Sequence, residues 1–227
     1  MDQPSIFRRN LWDEQQKRLI EFLGLALGRL AEGDPLPKGE EEITRRLATF
    51  CEAVNYELAK EGRELFNPPQ WEAKDVRQYM DTAIPVNMAK KPDCQYVFYD
   101  SQASRESFRK SLTIECKRLG RSAGSPQLNQ DYVKHGICRF LCATHGYGRS
   151  APCGIMIGYV QNMDLDAVLV EVNAECVRNR ISQLVLFAAG WQEGLTSHLE
   201  HSFDRAFPIT PFTLRHMWAD VRMHYTT

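Results

Sequence analysis

Apolar residues recur at helical spacing in two segments near the start of the chain. The first segment, residues 11–32, places four leucines on one stripe: Leu19, Leu23, Leu27 and Leu30. The second segment runs from about Glu40 to Lys60 and repeats this spacing with Ile43, Leu47, Phe50 and Val54. Between them, EGDPLPKG contains two prolines and two glycines, which interrupt a helix. The pattern therefore predicts two amphipathic helices joined by a turn.

From residue 94 onward the pattern changes to short runs rich in aromatic and β-branched residues, which are typical of strands. We predict strands in CQYVFY (94–99), SLTIECK (111–117), APCGIMIGYV (151–160), QLVLFAA (183–189) and FTLRHMWADV (212–221). Helical patterns lie between some of them, in residues 125–146 and 164–180. This order of elements predicts an α/β domain, residues 38–227, with an N-terminal helical extension, residues 1–37.

Composition fits an ordinary globular protein, since 43% of the 227 residues are hydrophobic and 25% are charged. The most apolar helical run, LIEFLGLALGRL, covers 12 residues and contains Glu21, so it is too short to span a bilayer. The seven cysteines form no CxxC pair, which favours thiols packed as small hydrophobes in a reducing compartment. We therefore expect a soluble, cytoplasmic protein with no membrane contact.

Charge is distributed unevenly along the chain, although its formal net value is only −1. Residues 86–150 contain 11 lysines and arginines against five aspartates and glutamates. The excess surrounds the stretch KKPDCQYVFYDSQASRESFRKSLTIECKRLG, residues 90–120, and it favours a polyanionic ligand. The nearly neutral total predicts weak intrinsic affinity for such a ligand, so we expect a homodimer or a partner protein to assist binding.

The two strands of this stretch fit an antiparallel hairpin. A register that sets Asp93 opposite Glu115 centres the turn near residue 104, within the polar stretch SQASRES. Alternation along the strands then assigns six residues to a core face: Cys94, Tyr96, Phe98, Leu112, Ile114 and Cys116. It leaves Thr113, Glu115 and Lys117 on the opposite face, together with Asp93.

Two carboxylates and an ammonium group are thus expected at one end of the hairpin. Neighbouring carboxylates repel each other, and a hard dication relieves this repulsion. A lysine beside them can orient or deprotonate a water molecule, or stabilise charge that develops on a phosphate. The pattern is therefore typical of a phosphodiester hydrolysis site. The simpler interpretation is a solvated strand face on which Asp93 makes a weak cross-strand ion pair.

Pro92-Asp93 followed by Glu115-x-Lys117, at the start and end of successive strands, resembles the PD-(D/E)XK nuclease superfamily. The resemblance extends over roughly residues 38–161. It implies a restriction endonuclease-like core, with a mixed central β-sheet flanked by helices. It also implies a metal-dependent endonuclease that hydrolyses DNA phosphodiester bonds with Mg²⁺ or Mn²⁺. Restriction and phage defence are among the settings that it suggests.

By this resemblance, Asp93 and Glu115 would ligate the divalent metal, with the Cys116 main-chain carbonyl as a further ligand. Lys117 would be the catalytic lysine. Many members also carry an acidic residue on the helix before the hairpin. KGEEEITRRL offers three glutamates at the start of that helix, and among them we prefer Glu40 as an additional ligand.

Four basic residues after the motif are candidate contacts for nucleic acid: Arg118, Arg121, Lys134 and Arg139. Arg139 lies on the predicted helix 125–146, where it could also be an ordinary surface residue. Two other functions remain open. One is a catalytically inactive nuclease-fold module for binding or assembly, and the other is a phosphodiesterase that acts on small nucleotides.

Three further features have structural interpretations. Gly136 lies within the predicted helix 125–146, where glycine costs about 1 kcal/mol relative to alanine, and this indicates close approach of another backbone. His198 and His201 lack the spacing of a zinc site and have no nearby cysteine. His216 is expected to be packed or hydrogen-bonded within a strand.

Overall fold

A seven-stranded mixed β-sheet with helices on both faces forms the core of the protein. The computed structural model describes residues 5–65, 67–71, 91–99, 108–122, 127–142, 145, 147–206 and 209–225, with the backbone alone for residues 5–11. This architecture confirms the expected α/β class, including the mixed sheet and the N-terminal helical segment. The predicted turn at residue 104 lies outside the described residues, as do Ser125, Pro126 and Gly146.

Two long helices and three strands make up the first half of the chain. Helix α1 comprises Ser5–Glu32 and α2 comprises Glu40–Lys60. The strands are β1, Gln70–Trp71, β2, Cys94–Tyr99, and β3, Arg109–Leu119. The EGDPLPKG turn separates the helices as predicted, and α2 begins and ends at the predicted residues.

The second half begins with helices and strands in alternation and ends with three successive strands and a short turn. A helical segment consists of α3, Leu128–Asp131, a π-helical stretch, Tyr132–Ile137, and α4, Cys138–Leu141. It is followed by β4, Cys153–Val160, and α5, Leu165–Arg178. The remaining elements are β5, Val185–Leu186, β6, Thr196–Phe203, β7, Phe212–Asp220, and a 3₁₀ turn, Arg222–His224.

The sheet has the strand order β1-β2-β3-β4-β7-β6-β5. Strands β3, β4 and β7 are parallel neighbours, whereas the flanking pairs are antiparallel. In the β2–β3 pair, Cys94 lies opposite Ile114 and Tyr99 lies opposite Arg109. The predicted hairpin register is therefore confirmed, because extending it by one residue sets Asp93 opposite Glu115.

Both faces of the central strands are covered. Helices α1 and α2 pack on one face against Leu112, Ile114 and Cys116. The helical segment between β3 and β4 packs on the other face, together with α5. β4 accordingly reads as a continuous apolar run, as expected of a parallel strand that is buried on both sides. The predicted core face of the hairpin is confirmed. The alternative of a solvated opposite face is wrong, since Thr113, Glu115 and Lys117 are also buried.

The predictions failed at several elements of the second half. We did not predict β6, because polar and charged residues interrupt the apolar pattern of TSHLEHSF. The strand expected over residues 183–189 is limited to β5, Val185–Leu186. The π-helical stretch has no signature that period 3.6 would detect. Gly136 does face a close neighbour, but that neighbour is the side chain of Met156 and not a backbone.

The N-terminal helix shares a core with the sheet. Four α1 residues of the predicted stripe are fully buried: Leu19, Leu23, Leu27 and Leu30. They belong to the same apolar cluster as residues of α2, β3 and β7. The division at residue 37 remains a prediction. Within the described ranges, the helices are too short or too polar to cross a membrane.

Candidate active site

The end of the β2–β3 hairpin brings Asp93 next to the Glu115–Cys116–Lys117 segment. Asp93 precedes β2, and its Oδ2 accepts a 2.7 Å hydrogen bond from the main-chain N–H of Cys116. This bond fixes one carboxylate at the cross-strand position opposite Glu115. Glu115 is completely buried within the sheet. The two carboxylates therefore lie on neighbouring strands at opposite positions, as predicted.

Lys117 occupies the centre of the charged cluster. Its Nζ lies 2.7 Å from Glu40 Oε1 and 3.1 Å from Glu115 Oε1, and it donates a 2.8 Å hydrogen bond to the Cys116 carbonyl oxygen. The side chain is nearly buried, and its Cγ lies beside Gly136, so that the absence of a β-carbon there leaves space for the lysine. Lys117 is consequently held by acidic partners from α2 and β3.

Glu40 reaches the site from the first turn of α2. Besides pairing with Lys117, its Oε2 accepts a 3.1 Å hydrogen bond from the main-chain N–H of Arg118. Glu41 pairs instead with Arg45, and Glu42 packs near Gly39. Acidic residues are favoured at a helix N-terminus by the helix dipole. Of the three glutamates, Glu40 is the one for which a contact with Lys117 is described, whereas its role as a metal ligand remains a prediction.

Arg139 joins the site from α4, and its Nη1 forms an ion pair with Glu115 Oε1. The same carboxylate oxygen therefore lies beside two cations, Lys117 and Arg139. The other oxygen, Glu115 Oε2, is buried without a hydrogen-bond partner among the described residues. The guanidinium also lies 6.0 Å from the ring centroid of Tyr147. Arg139 is thus a component of the site and not an ordinary surface residue.

A cleft of about 510 Å³ opens onto this cluster. Asp93, Lys117, Glu40 and Arg139 line one part of it. The remaining wall is formed by residues of α2, by the end of β1 and by Lys91; its members are Glu41, Thr44, Arg45, Ala48, Trp71 and Lys91. A volume of this size is within the usual range of small-molecule sites. The charged cluster is therefore accessible from one side.

Burial and mutual repulsion shift the protonation of the acids. Burial, together with the nearby charge of Asp93, raises the pKa of Glu115 to about 7, although Lys117 and Arg139 oppose the shift. Burial likewise raises the pKa of Asp93, while Lys117 and the Cys116 N–H oppose it. Burial by itself would lower the pKa of Lys117, but Glu115, Glu40 and Asp93 together raise it above its ordinary value. Lys117 is therefore a cation at neutral pH.

The other predicted phosphate contacts lie at the margin of the site or elsewhere. Arg118 follows Lys117, and its Nη1 donates a 3.0 Å hydrogen bond to the Lys38 carbonyl oxygen. Arg121 is exposed and lines a second cleft between the helical segment and α5. Lys134 lies 3.3 Å from Glu175 of α5. Of the four basic candidates, Arg139 is the one that lines the cleft with Asp93 and Lys117.

The donor set suits a hard divalent cation, because it offers carboxylate and carbonyl oxygens. Among the residues that the structure describes, however, no three His, Cys, Asp or Glu side chains form a group able to hold a metal ion. Glu40 instead engages Lys117 and Arg118. Such an ion would be received by the Cys116 carbonyl oxygen, by Asp93 and by Glu115 Oε2, which is buried and has no hydrogen-bond partner within the described ranges. Binding of Mg²⁺ or Mn²⁺ at these oxygens remains a prediction.

Several residues of the cleft were not predicted from the sequence. Arg45, Trp71 and Lys91 line it, although their spacing in the sequence gives no signal that they meet. The structure places Tyr132 in a second apolar core, between the sheet and the helices on the face opposite α1 and α2. There, Tyr132 Oη lies 2.7 Å from His216 Nδ1 and accepts a 3.0 Å hydrogen bond from Trp218 Nε1. The packed, hydrogen-bonded His216 is thereby confirmed.

Comparison with known proteins identifies no relative of this chain: no family model, no curated protein and no solved structure matches it. The fold and the side-chain geometry of the cleft therefore carry the functional argument. The class that they define is a mixed α/β protein with an acid–lysine–arginine cluster at the end of a β-hairpin.

Proposed function

We propose that this protein is a cytoplasmic, metal-dependent nuclease that hydrolyses DNA phosphodiester bonds. The observation that carries this proposal is the placement of Asp93, Glu115 and Lys117 together beside an accessible cleft. The resemblance of the Pro92-Asp93 and Glu115-x-Lys117 segments to the PD-(D/E)XK superfamily supports the same function. Cleavage of foreign DNA in restriction or phage defence is the setting that we propose.

Asp93, Glu115 and the Cys116 carbonyl oxygen would hold the Mg²⁺ or Mn²⁺ ion. When bound, such an ion supplies a Lewis acid that stabilises negative charge on a phosphoryl oxygen. Lys117 would stabilise the same charge and donate a hydrogen bond that orients the attacking water, because its raised pKa keeps it protonated. Deprotonation of water by Lys117 is disfavoured for the same reason. Arg139 and Lys91 line the cleft and would attract the DNA backbone.

Cleavage of supercoiled plasmid with Mg²⁺ or Mn²⁺ tests this proposal. Wild-type protein should nick or linearise the plasmid, whereas Asp93→Ala and Lys117→Ala should lose at least about 100-fold in rate. Glu21→Ala and Lys17→Ala change exposed residues of α1 and serve as matched controls that should retain activity. Equal cleavage by wild type and both site variants would refute the assignment.

Three observations favour other functions. Pairing of Glu115 with two cations, and the lack of a three-ligand cluster among the described residues, favour an inactive nuclease-fold module for binding or assembly. The cleft volume favours a phosphodiesterase that acts on small nucleotides. A protein that binds no Mn²⁺ and cleaves no substrate would support the first function. Hydrolysis of cyclic or short dinucleotides but not of plasmid would support the second.

A further inference from the structure

One carboxylate oxygen of the candidate site carries two cationic partners. Glu115 Oε1 lies 3.1 Å from Lys117 Nζ and also pairs with Arg139 Nη1. Glu115 is completely buried, and its second oxygen, Oε2, has no hydrogen-bond partner within the described part of the chain. The ionised carboxylate therefore pairs with two cations through one oxygen, while its other oxygen has no described hydrogen-bond partner.

The two cations are anchored differently. Lys117 has two further partners, Glu40 Oε1 and the Cys116 carbonyl oxygen, which hold its ammonium group in place. Arg139 contacts Glu115 and Tyr147, and its side chain is 24% exposed at the cleft, compared with 10% for Lys117. Arg139 is thus the cation that can leave Glu115 without dismantling the rest of the cluster.

We infer that Arg139 is an internal counter-ion that occupies Glu115 until a divalent metal binds, and that it then contacts substrate phosphate in the cleft. The inference rests on the proposed function, since it requires a metal at Asp93 and Glu115. A dication and a guanidinium on one buried carboxylate repel each other, so metal binding and the Arg139–Glu115 pair compete. The planar guanidinium, with several N–H donors, is suited to a phosphate group.

This arrangement predicts coupling between metal and substrate. The metal-free protein would hold Arg139 on Glu115 and so withhold it from an incoming phosphate. Metal binding would release Arg139 for the substrate, and bound substrate would in turn strengthen metal binding. Linkage requires that the two effects be equal in size.

Calorimetric titration with Mn²⁺ at a fixed pH tests the competition without reference to activity. Arg139→Gln should bind Mn²⁺ about tenfold more tightly than wild type, because it removes a positive charge from the ligand carboxylate. Lys91→Gln removes another cationic side chain that lines the cleft and should change the affinity by less than about threefold. Arg139→Met, which retains an apolar stem, should reproduce the effect if Arg139→Gln fails to fold.

A second measurement concerns the substrate. The affinity of the protein for a fluorescent DNA duplex is measured with and without Ca²⁺, which replaces the catalytic metal. Wild type should bind the duplex more tightly when Ca²⁺ is present. Arg139→Gln should lose most of this enhancement at temperatures well below its melting temperature. If Arg139 had a purely structural role, its substitution would alter stability. It would not raise the affinity for Mn²⁺ and also reduce the increase in DNA affinity that Ca²⁺ causes.

The outcomes separate this inference from the proposed function. Tight Mn²⁺ binding by Arg139→Gln with weak binding by wild type would support the competition. Equal affinities in the two proteins, with binding lost in Asp93→Asn, would overturn the role of Arg139 and leave the metal site intact. Failure of wild type, Arg139→Gln and Arg139→Met to bind Mn²⁺ would overturn both proposals.

Discussion

At the scale of single residues, Lys117 links three acidic side chains in a nearly dry environment. Glu40 and Glu115 lie within ion-pair distance of its ammonium group, and Asp93 adds to the field that raises its pKa. Breaking a buried ion pair by removing one partner leaves the other charge uncompensated. The same lysine is therefore expected to matter for both stability and catalysis.

Lys117→Met should reduce plasmid cleavage by about 100-fold or more, because it removes the cation that faces the substrate phosphate. It should also lower the free energy of unfolding by about 3 kcal/mol, since Glu40 and Glu115 would lose their shared partner. Saturating Mg²⁺ should restore part of that loss. Urea unfolding with and without Mg²⁺ measures the stability, and Lys17→Met is the control. Undiminished cleavage by Lys117→Met would contradict its role.

Gly136→Ala tests the space beside Lys117. A β-carbon there would lie 2.5 Å from Met156 Cε and 3.3 Å from Lys117 Cγ, so both side chains would have to move. The gain in helix propensity, about 1 kcal/mol, should offset much of the crowding, and the melting temperature should change little. Cleavage should fall by at least about tenfold, because small displacements of catalytic groups are costly.

Gly28→Ala provides the matched control for that measurement. Gly28 lies in α1, and an added β-carbon there would have no atom within 4 Å apart from the backbone of its own helix and its two chain neighbours. The substitution should therefore stabilise the helix by up to about 1 kcal/mol and leave cleavage unchanged. If Gly136→Ala retained full activity, Lys117 would not depend on the space at residue 136.

At the scale of elements, the helical segment between β3 and β4 serves both the site and the second core. Its α4 turn carries Arg139 towards Glu115, while its π-helical stretch carries Tyr132 into a hydrogen-bonded group with His216 and Trp218. An extra residue in a helical turn changes which side chains face the sheet beyond it. The π-helical stretch therefore allows Tyr132 and Arg139 to face the sheet from the same helical segment.

Tyr132→Phe should destabilise the fold by about 2 kcal/mol, because the buried indole N–H of Trp218 and the His216 ring nitrogen would lose their partner. The rate of cleavage well below the melting temperature should not change, since Tyr132 is not a cleft residue. Thermal unfolding gives the stability, and Tyr56→Phe on the exposed surface of α2 is the control. An unchanged melting temperature would show that this group contributes little.

At the scale of the whole molecule, buried histidines and buried acids give opposite dependences of stability on pH. Burial lowers the pKa of His201 to about 4, and it also lowers the pKa of His216 well below its ordinary value. The unfolded chain therefore binds more protons than the folded protein, and each histidine costs stability as the pH falls below about 6.5. Glu115 acts in the opposite direction, because its raised pKa gives stability that is lost as the pH rises from about 4.5 through 7.

His201→Phe isolates one of these contributions. Relative to wild type, the variant should gain about 2 kcal/mol of unfolding free energy between pH 6.5 and pH 5, since a single histidine contributes about 1.4 kcal/mol per pH unit. Denaturant unfolding at several pH values gives this difference. Tyr56→Phe, at an exposed position of α2, leaves every histidine in place and should follow the wild-type curve. Parallel curves for His201→Phe and wild type would contradict the buried, neutral state of His201.

Much of the fold and the centre of the site followed from the sequence alone. The bounds of α2 and the pairing of Asp93 with Glu115 were predicted correctly, because helical and strand periodicities and hairpin register depend on residues close together in the chain. The same alternation grouped Glu115 with Lys117. It could not show that this face is covered, since burial there depends on the helical segment that follows.

Contacts between distant segments were decided only by the tertiary structure. Which of the three adjacent glutamates pairs with Lys117 depends on how α2 packs against β3, and in this fold it is Glu40. The Arg139–Glu115 pair likewise depends on how α4 lies across the sheet. β6 forms despite its polar residues because β7 and β5 provide hydrogen-bonding partners on its two sides. Periodicity determines which face a residue occupies within its own element, whereas the packing of whole elements determines what that face meets.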